Sequence, residues 1–203
     1  MRGYYFITDE GLSARGIVND VEKAAAAGVE IIQYRNKSAN TRLMCDEARI
    51  IKDICADGRS RLIINDRIDI ALAVGADGVH IGQEDMPYGT ARRLMGKGAI
   101  IGVTVHNTAE ALEAEMMGAD YLGVSPVFAT ATKSDAGEAC GLETLRAIRM
   151  ACRIPLVAIG GIDLANVDAV INAGAEMVCA ISAVVIKEDV SAEIMKFQRK
   201  FGL

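Results

Sequence analysis

The sequence predicts a (β/α)8 barrel in one compact domain spanning residues 1–203, and three observations carry that reading. First, a helix-ending glycine, a small or β-branched residue, an acid and a short apolar run recur together four times. The instances are Gly28-Val29-Glu30, Gly75-Ala76-Asp77, Gly118-Ala119-Asp120 and Gly174-Ala175-Glu176. Each glycine suits the left-handed position that stops a helix. The intervals between them are about twice the length of a βα unit, so the repeat is two units long. Second, the runs that follow are continuously apolar, as in strands of a parallel sheet covered by helices. Third, 203 residues of which 51% are hydrophobic are enough for one large core, and no Pro- or Ser-rich linker divides the chain. The competing open doubly wound sheet lacks its usual nucleotide signatures here, since the chain contains neither G-x-G-x-x-G nor a P-loop.

The eight strands fall at Tyr4 to Thr8, Ile31 to Gln33, Arg61 to Asn65, Gly78 to Ile81, Ala99 to Thr104, Tyr121 to Val124, Pro155 to Ile159 and Met177 to Ala180. Helices lie between them. Apolar spacing at Met44, Ala48, Ile51 and Cys55 predicts one, the Asn107-x-x-Glu110 capping box starts another, and Leu142, Leu145 and Ile148 mark a third. Ile194, Phe197 and Phe201 share one face of the last.

Acidic residues outnumber basic ones 27 to 22, for a formal charge of −5 and a pI near 5.1, which disfavours a nucleic-acid or anionic-membrane partner. Charged residues interrupt every apolar stretch short of the roughly 18 residues a membrane span needs. The N-terminal stretch Met1 to Asp9 has no signal-peptide core. The five cysteines form no C-x-x-C pair and read as reduced thiols, so a cytoplasmic location is expected. Helix faces such as Met116-Met117 suit either the core or another copy of the chain, which leaves room for a homo-oligomer.

In such a barrel the active site lies at the C-terminal ends of the strands, and those ends are polar. They carry Gln33, Arg35 and Lys37; Asn65, Asp66 and Arg67; His80, Gln83 and Asp85; Thr104 and His106; the loop Ser125 to Lys133; Gly160-Gly161; and Ile181-Ser182. Two anion sites follow. Gly160-Gly161 and Ile181-Ser182, after the seventh and eighth strands, offer glycine turns and helix N-termini to a phosphate. Arg35, Lys37 and Lys133 combined with Asp66 and Asp85 suit a diphosphate with Mg²⁺, an ion held by one or two carboxylates plus phosphate oxygens. Taken singly, Asp66 and Asp85 also suit helix caps. The long hydroxyl-rich loop Ser125 to Lys133 suits phosphate capture. His80 and His106 are candidates for acid or base, or for plain structural hydrogen bonds.

These residues give the chain a resemblance to the thiamine-phosphate synthases over nearly its whole length. The matching stretches are Tyr5 to Asp9, Gln33-Tyr34-Arg35-Asn36-Lys37, Leu62 to Asp69, Gly75 to Met86, Gly123 to Lys133 and Ala158 to Ile162. The resemblance implies a barrel enzyme that joins 4-amino-2-methyl-5-hydroxymethylpyrimidine diphosphate to 4-methyl-5-hydroxyethylthiazole phosphate, with loss of pyrophosphate. It implies a pyrimidine-diphosphate pocket of Gln33, Arg35, Lys37, Asn65, Thr104 and Lys133, with Tyr34 and Asn36 in the same motif. Arg35, Lys37, Thr104 and Lys133 would carry the chemistry, and Asp66 and Asp85 would hold Mg²⁺. Thr130, Ala131, Thr132, Gly161, Ile181 and Ser182 fall to the thiazole-phosphate side. Departures from the family pattern are Asn36 for Glu, Thr104 for Ser, and Ala129 and Ala131 for prolines. The alternatives are the related thiazole tautomerase, which lacks the T-x-T-K loop, a non-catalytic sensor of thiamine precursors, and a sugar-phosphate isomerase barrel, which would leave the Asp66–Asp85 pair unexplained.

Overall fold

The structure is a computed structural model that describes residues 1–130, 132 and 137–203. In chain order the elements are β1 (Gly3–Ile7), α1 (Ile17–Ala26), β2 (Ile31–Tyr34), α2 (Thr41–Gly58), β3 (Arg61–Asn65) and α3 (Ile68–Val74). There follow β4 (Gly78–Ile81), α4 (Tyr88–Met95), β5 (Ile100–Val105), α5 (Thr108–Met117), β6 (Tyr121–Val124) and α6 (Gly141–Ala151). The last are β7 (Leu156–Ile159), α7 (Val167–Asn172), β8 (Met177–Cys179), α8 (Ile181–Val185) and α9 (Val190–Lys200). The strands pair in sequence order, all parallel, and β1 closes on β8, giving the predicted barrel. The short helix α8, directly after β8, stands outside the regular alternation of strand and helix and begins at the helix N-terminus expected at Ile181-Ser182.

The core has two layers because each strand is buried on both faces. Tyr5, Ile7, Ile31, Ile63, Tyr121, Val157, Met177 and Cys179 fill the inside of the barrel. The opposite strand faces, with Phe6, Ile32, Leu62, Ile64, Leu122 and Val178 among them, pack under the helices. There they meet Met44, Ala48, Ile51 and Cys55 of α2 and Ile194 and Phe197 of α9, which are the faces expected from spacing. Met116 and Met117 are exposed and take no part in this core.

The recurring Gly-x-acid motif builds the floor of the barrel. All four glycines have positive φ, between 62° and 107°, and stand at helix ends. The acid then reaches sideways to an amide in the first two residues of the preceding strand. Asp77 Oδ2 accepts from the Leu62 amide, Asp120 Oδ2 from the Ile101 amide and Glu176 Oε2 from the Leu156 amide, each at 2.8 Å. Three bases complete the pattern from the helices, as Lys52–Asp77, Arg92–Asp120 and Arg149–Glu176. Each acid thus satisfies a strand-end donor that no ladder bond would reach.

Candidate active site

At the opposite end of the barrel a cavity of about 860 Å³, its open mouth included, is bounded by the strand C-termini. Gln33, Arg35, Asn65, Thr104, Thr130, Thr132, Gly161, Ile181 and Ser182 line it, so most of the sequence-predicted residues, from six strand ends, meet in one place. Ala131 and Lys133 lie outside the described residues.

Two members of the predicted set turn away. Tyr34 donates its hydroxyl hydrogen to Glu47 Oε2 at 2.5 Å and packs under α2, while Asn36 Nδ2 donates to the same carboxylate at 3.1 Å. Asn36 Oδ1 accepts from the Ser38 and Ala39 amides, so this residue shapes the loop after β2. The reason is strand alternation: Gln33 and Arg35 point into the barrel, which sends Tyr34 and Asn36 outward. Their expected contact with substrate is corrected accordingly.

Arg35 is held by the two residues that follow β1, Thr8 and Asp9. Its amide donates to Thr8 Oγ1, whose own hydrogen goes to the Arg35 carbonyl, and Nη1 lies 3.2 Å from Asp9 Oδ2. Asp9 was not singled out from the sequence. Its signals there were its place just past the first strand and its membership of the family-matching stretch Tyr5 to Asp9.

Asp66 and Asp85 stand at the rim. Asp66 has φ of 59°, a left-handed conformation uncommon for a non-glycine residue, and its carboxylate turns to Lys37 Nζ at 2.5 Å. Asp85 Oδ2 accepts from the Gly82 amide at 2.6 Å and closes that turn. Neither side chain caps a helix, since the N-cap residues of α3 and α4 are Arg67 and Pro87 and neither helix has a side-chain cap. Burial works against the charged form of Asp66, yet the Lys37 ammonium beside it outweighs that and holds its carboxyl below the usual range. Asp85 is pushed up by burial, opposed by the Gly82 amide and reinforced by the facing Asp66 charge. Two carboxylates pressed together in this way suit a divalent cation with oxygen preference. Among the described residues no group of three or more His, Cys, Asp or Glu that could hold a metal ion is found; two carboxylates are the oxygen donors that Mg²⁺ takes alongside phosphate oxygens and water.

The side expected to take a phosphate is made by backbone. Gly160 and Gly161 have φ of 102° and 61°, and the loop after β6 crosses them closely: the Phe128 amide donates to the Gly160 carbonyl at 3.0 Å. A Cβ on Gly161 would lie 2.6 Å from the Ala129 carbonyl oxygen. The glycines are therefore there for close approach as well as for the turn. The expected helix N-terminus after the seventh strand is not adjacent, because Asp163 and Asn166 form a turn and α7 starts only at Val167. The one after the eighth strand is present, with Ile181 and Ser182 in the first turn of α8.

Of the two histidines, His106 sits on the rim with Nδ1 2.9 Å from Glu110 Oε2, part of the capping arrangement of α5. His80 lines the cavity, its Nδ1 2.9 Å from the Tyr121 hydroxyl and its Nε2 2.8 Å from Thr104 Oγ1. Cys179 also lines the cavity, but complete burial pushes its thiol well above the ordinary range, which leaves it a poor nucleophile.

Comparison with known proteins fits this geometry. A family model described as thiamine monophosphate synthase matches residues 4–184. The chain is 52% identical to a thiamine-phosphate synthase of Methanosarcina mazei over 96% of this chain and 80% of that protein. It is 51% identical to one from Chloroflexus aurantiacus, covering 93% and 87%. Its fold superposes on a thiamine phosphate pyrophosphorylase from Pyrococcus furiosus with a TM-score of 0.91 and 40% identity, covering 98% and 95% of the two chains. A 3-hexulose-6-phosphate synthase at 20% identity and a TM-score of 0.68 shares the barrel alone.

Proposed function

Because the chain belongs to the thiamine-phosphate synthase family of transferases, we propose that its cavity condenses 4-amino-2-methyl-5-hydroxymethylpyrimidine diphosphate with 4-methyl-5-hydroxyethylthiazole phosphate, releasing pyrophosphate. The observation that carries this reading is the pairing of Asp66 and Asp85 beside Lys37, at the same strand-end face of the barrel as the cavity that Arg35 lines and whose other wall is the Gly160-Gly161 backbone. One side suits a diphosphate, the other a single phosphate.

In this reading Arg35, Lys37 and Lys133 neutralise the diphosphate, and Gln33, Asn65 and Thr104 orient the pyrimidine over the barrel mouth. Asp66 and Asp85 would hold Mg²⁺, which would supply further charge neutralisation to the leaving diphosphate. The C–O bond to diphosphate breaks first, leaving a pyrimidine-methyl cation, and the thiazole nitrogen then donates its lone pair to that carbon. Thr130, Thr132, Gly161, Ile181 and Ser182 place the thiazole phosphate for that attack, so the chain contributes orientation and charge. A dissociative path asks for no protein nucleophile. That agrees with the high thiol pKa of Cys179.

The deciding experiment mixes the protein with both substrates and Mg²⁺ and assays thiamine phosphate and pyrophosphate, with a chelator control. Product that disappears with EDTA supports the synthase reading and its metal. Absence of product, with thiazole phosphate still binding by calorimetry, would turn the reading toward the tautomerase or sensor.

A further inference from the structure

Five side chains from five strands form a continuous hydrogen-bonded row across the inside of the barrel. Gln33 Nε2 lies 2.7 Å from the Tyr5 hydroxyl, which lies 2.7 Å from the Tyr121 hydroxyl. Tyr121 then meets His80 Nδ1 at 2.9 Å, and His80 Nε2 meets Thr104 Oγ1 at 2.8 Å. Both tyrosines are about 1% exposed. Burial raises both phenols, so each carries its hydrogen at any working pH.

The chemistry of the first member gives the row a direction. An amide nitrogen only donates, so the Tyr5 oxygen accepts from Gln33. The Tyr5 hydrogen goes to the Tyr121 oxygen, and the Tyr121 hydrogen is left for His80 Nδ1. A ring that accepts at Nδ1 carries its hydrogen on Nε2, which donates to Thr104 Oγ1. With its oxygen so engaged, the Thr104 hydroxyl has its hydrogen to offer the cavity.

We propose that Tyr5, Tyr121 and His80 are positioning residues whose hydrogen-bonded row, starting at Gln33, makes His80 Nδ1 an acceptor and Nε2 a donor and so fixes the Thr104 hydroxyl as a donor to bound ligand. The site therefore selects a ligand that presents an acceptor lone pair at Thr104, such as an aromatic ring nitrogen, over one that presents an N–H there. The barrel is carved for this row. A Cβ on Gly102 would fall 2.0 Å from the Tyr121 ring, and one on Gly123 would fall 2.8 Å from His80 Cε1. His80 and Tyr121 lie nearly parallel, with ring centroids 5.5 Å apart and planes 25° apart.

The tautomer is read directly by ¹⁵N NMR of the histidine-labelled free protein, which has only two histidines, with His106→Gln to assign them. The expected result is a His80 ring with its hydrogen on Nε2 and a bare, accepting Nδ1, and loss of that fixed state in Tyr121→Phe. A ring protonated at Nδ1 or at both nitrogens would overturn the proposal. The effect on ligand choice rests on the function proposed above and is read separately. Tyr121→Phe and Tyr5→Phe should raise the KM for the pyrimidine diphosphate about three- to tenfold while leaving the KM for the thiazole phosphate unchanged. Placed on Thr104→Val, Tyr121→Phe should add nothing further. Multiplying losses in that double variant, or equal rises in both KM values, would mark the tyrosines as merely structural and overturn the positioning role. An Nε2–H ring in a protein that forms no thiamine phosphate would overturn the function and support the row.

Discussion

Lys37 Nζ stands 2.5 Å from Asp66 Oδ2, so the cation at the end of the second strand's motif meets the carboxylate at the end of the third. Asp85 faces the same carboxylate and is raised by burial and by that charge. Its own hydrogen bond to the Gly82 amide gives it a second, structural task. Asp85→Ala removes both, whereas Asp85→Asn keeps an accepting oxygen and removes the charge. Both should lower Mg²⁺-dependent turnover by about 100-fold or more if the charge is what matters. Full activity in either, assayed across a Mg²⁺ titration, would remove Asp85 as a ligand.

The phosphate wall is tested at Thr130 and Gly161. Thr130 lines the cavity and its Oγ1 accepts from the Thr132 amide, so Thr130→Ala loses a hydroxyl that both shapes the loop and faces the ligand. Its KM for the thiazole phosphate should rise more than its KM for the pyrimidine diphosphate. The reverse order would mean that the two pockets are exchanged. Gly161→Ala meets the Ala129 carbonyl and keeps a left-handed φ, a strain of about 1–3 kcal/mol, and should weaken thiazole-phosphate binding in calorimetry. An unchanged affinity would show that the loop after β6 yields without cost.

Stability is set at the other end of the barrel. Asp120→Ala takes the acceptor from the Ile101 amide and the ion partner from Arg92. The loss expected is about 1–3 kcal/mol. For a chain of this size each kcal/mol lowers Tm by about 2–4 °C. Substrate KM values should not move, because the acid lies at the end remote from the cavity. A Tm equal to the parent's would show that the floor hydrogen bonds are replaced by water at no loss.

Asp20 on α1 supplies a pH test. It is buried, burial raises its carboxyl above the ordinary value, and the Ser13 hydroxyl at 2.5 Å opposes that only in part. The folded chain therefore holds this proton more tightly than the unfolded chain. The resulting penalty is absent below the unfolded carboxyl pKa and grows as pH rises through the folded one. Asp20→Asn should match the parent in urea unfolding at acid pH and exceed it at neutral pH. A difference independent of pH would assign the effect to packing.

Much of the barrel could be read from the chain because its signals are local. The left-handed glycines at 28, 75, 118 and 174 and the apolar spacing of α2 and α9 depend on neighbours within a turn or two. The same holds for the residue types that collect anions at strand ends, which is why Gln33, Arg35, Asn65, Thr104, Thr130, Thr132, Gly161, Ile181 and Ser182 were found and do meet. The cap reading of Asp66 and Asp85 was locally reasonable too. It gave way because their carboxylates turn to Lys37, to each other and to the Gly82 turn.

Tertiary structure decided which groups share a hydrogen. The outward turn of Tyr34 and Asn36 follows from the register that points Gln33 inward, and the purpose of the acids at 77, 120 and 176 appears only beside the strand each one reaches. Tyr5 and Tyr121 are 116 residues apart in the chain, yet their hydroxyls bond at 2.7 Å. Helix stops and apolar faces are properties of a segment and so are written in it. A hydrogen bond across the barrel depends on strand order, closure and the glycines at 102 and 123 that leave room for the rings, and these exist only once the sheet has closed.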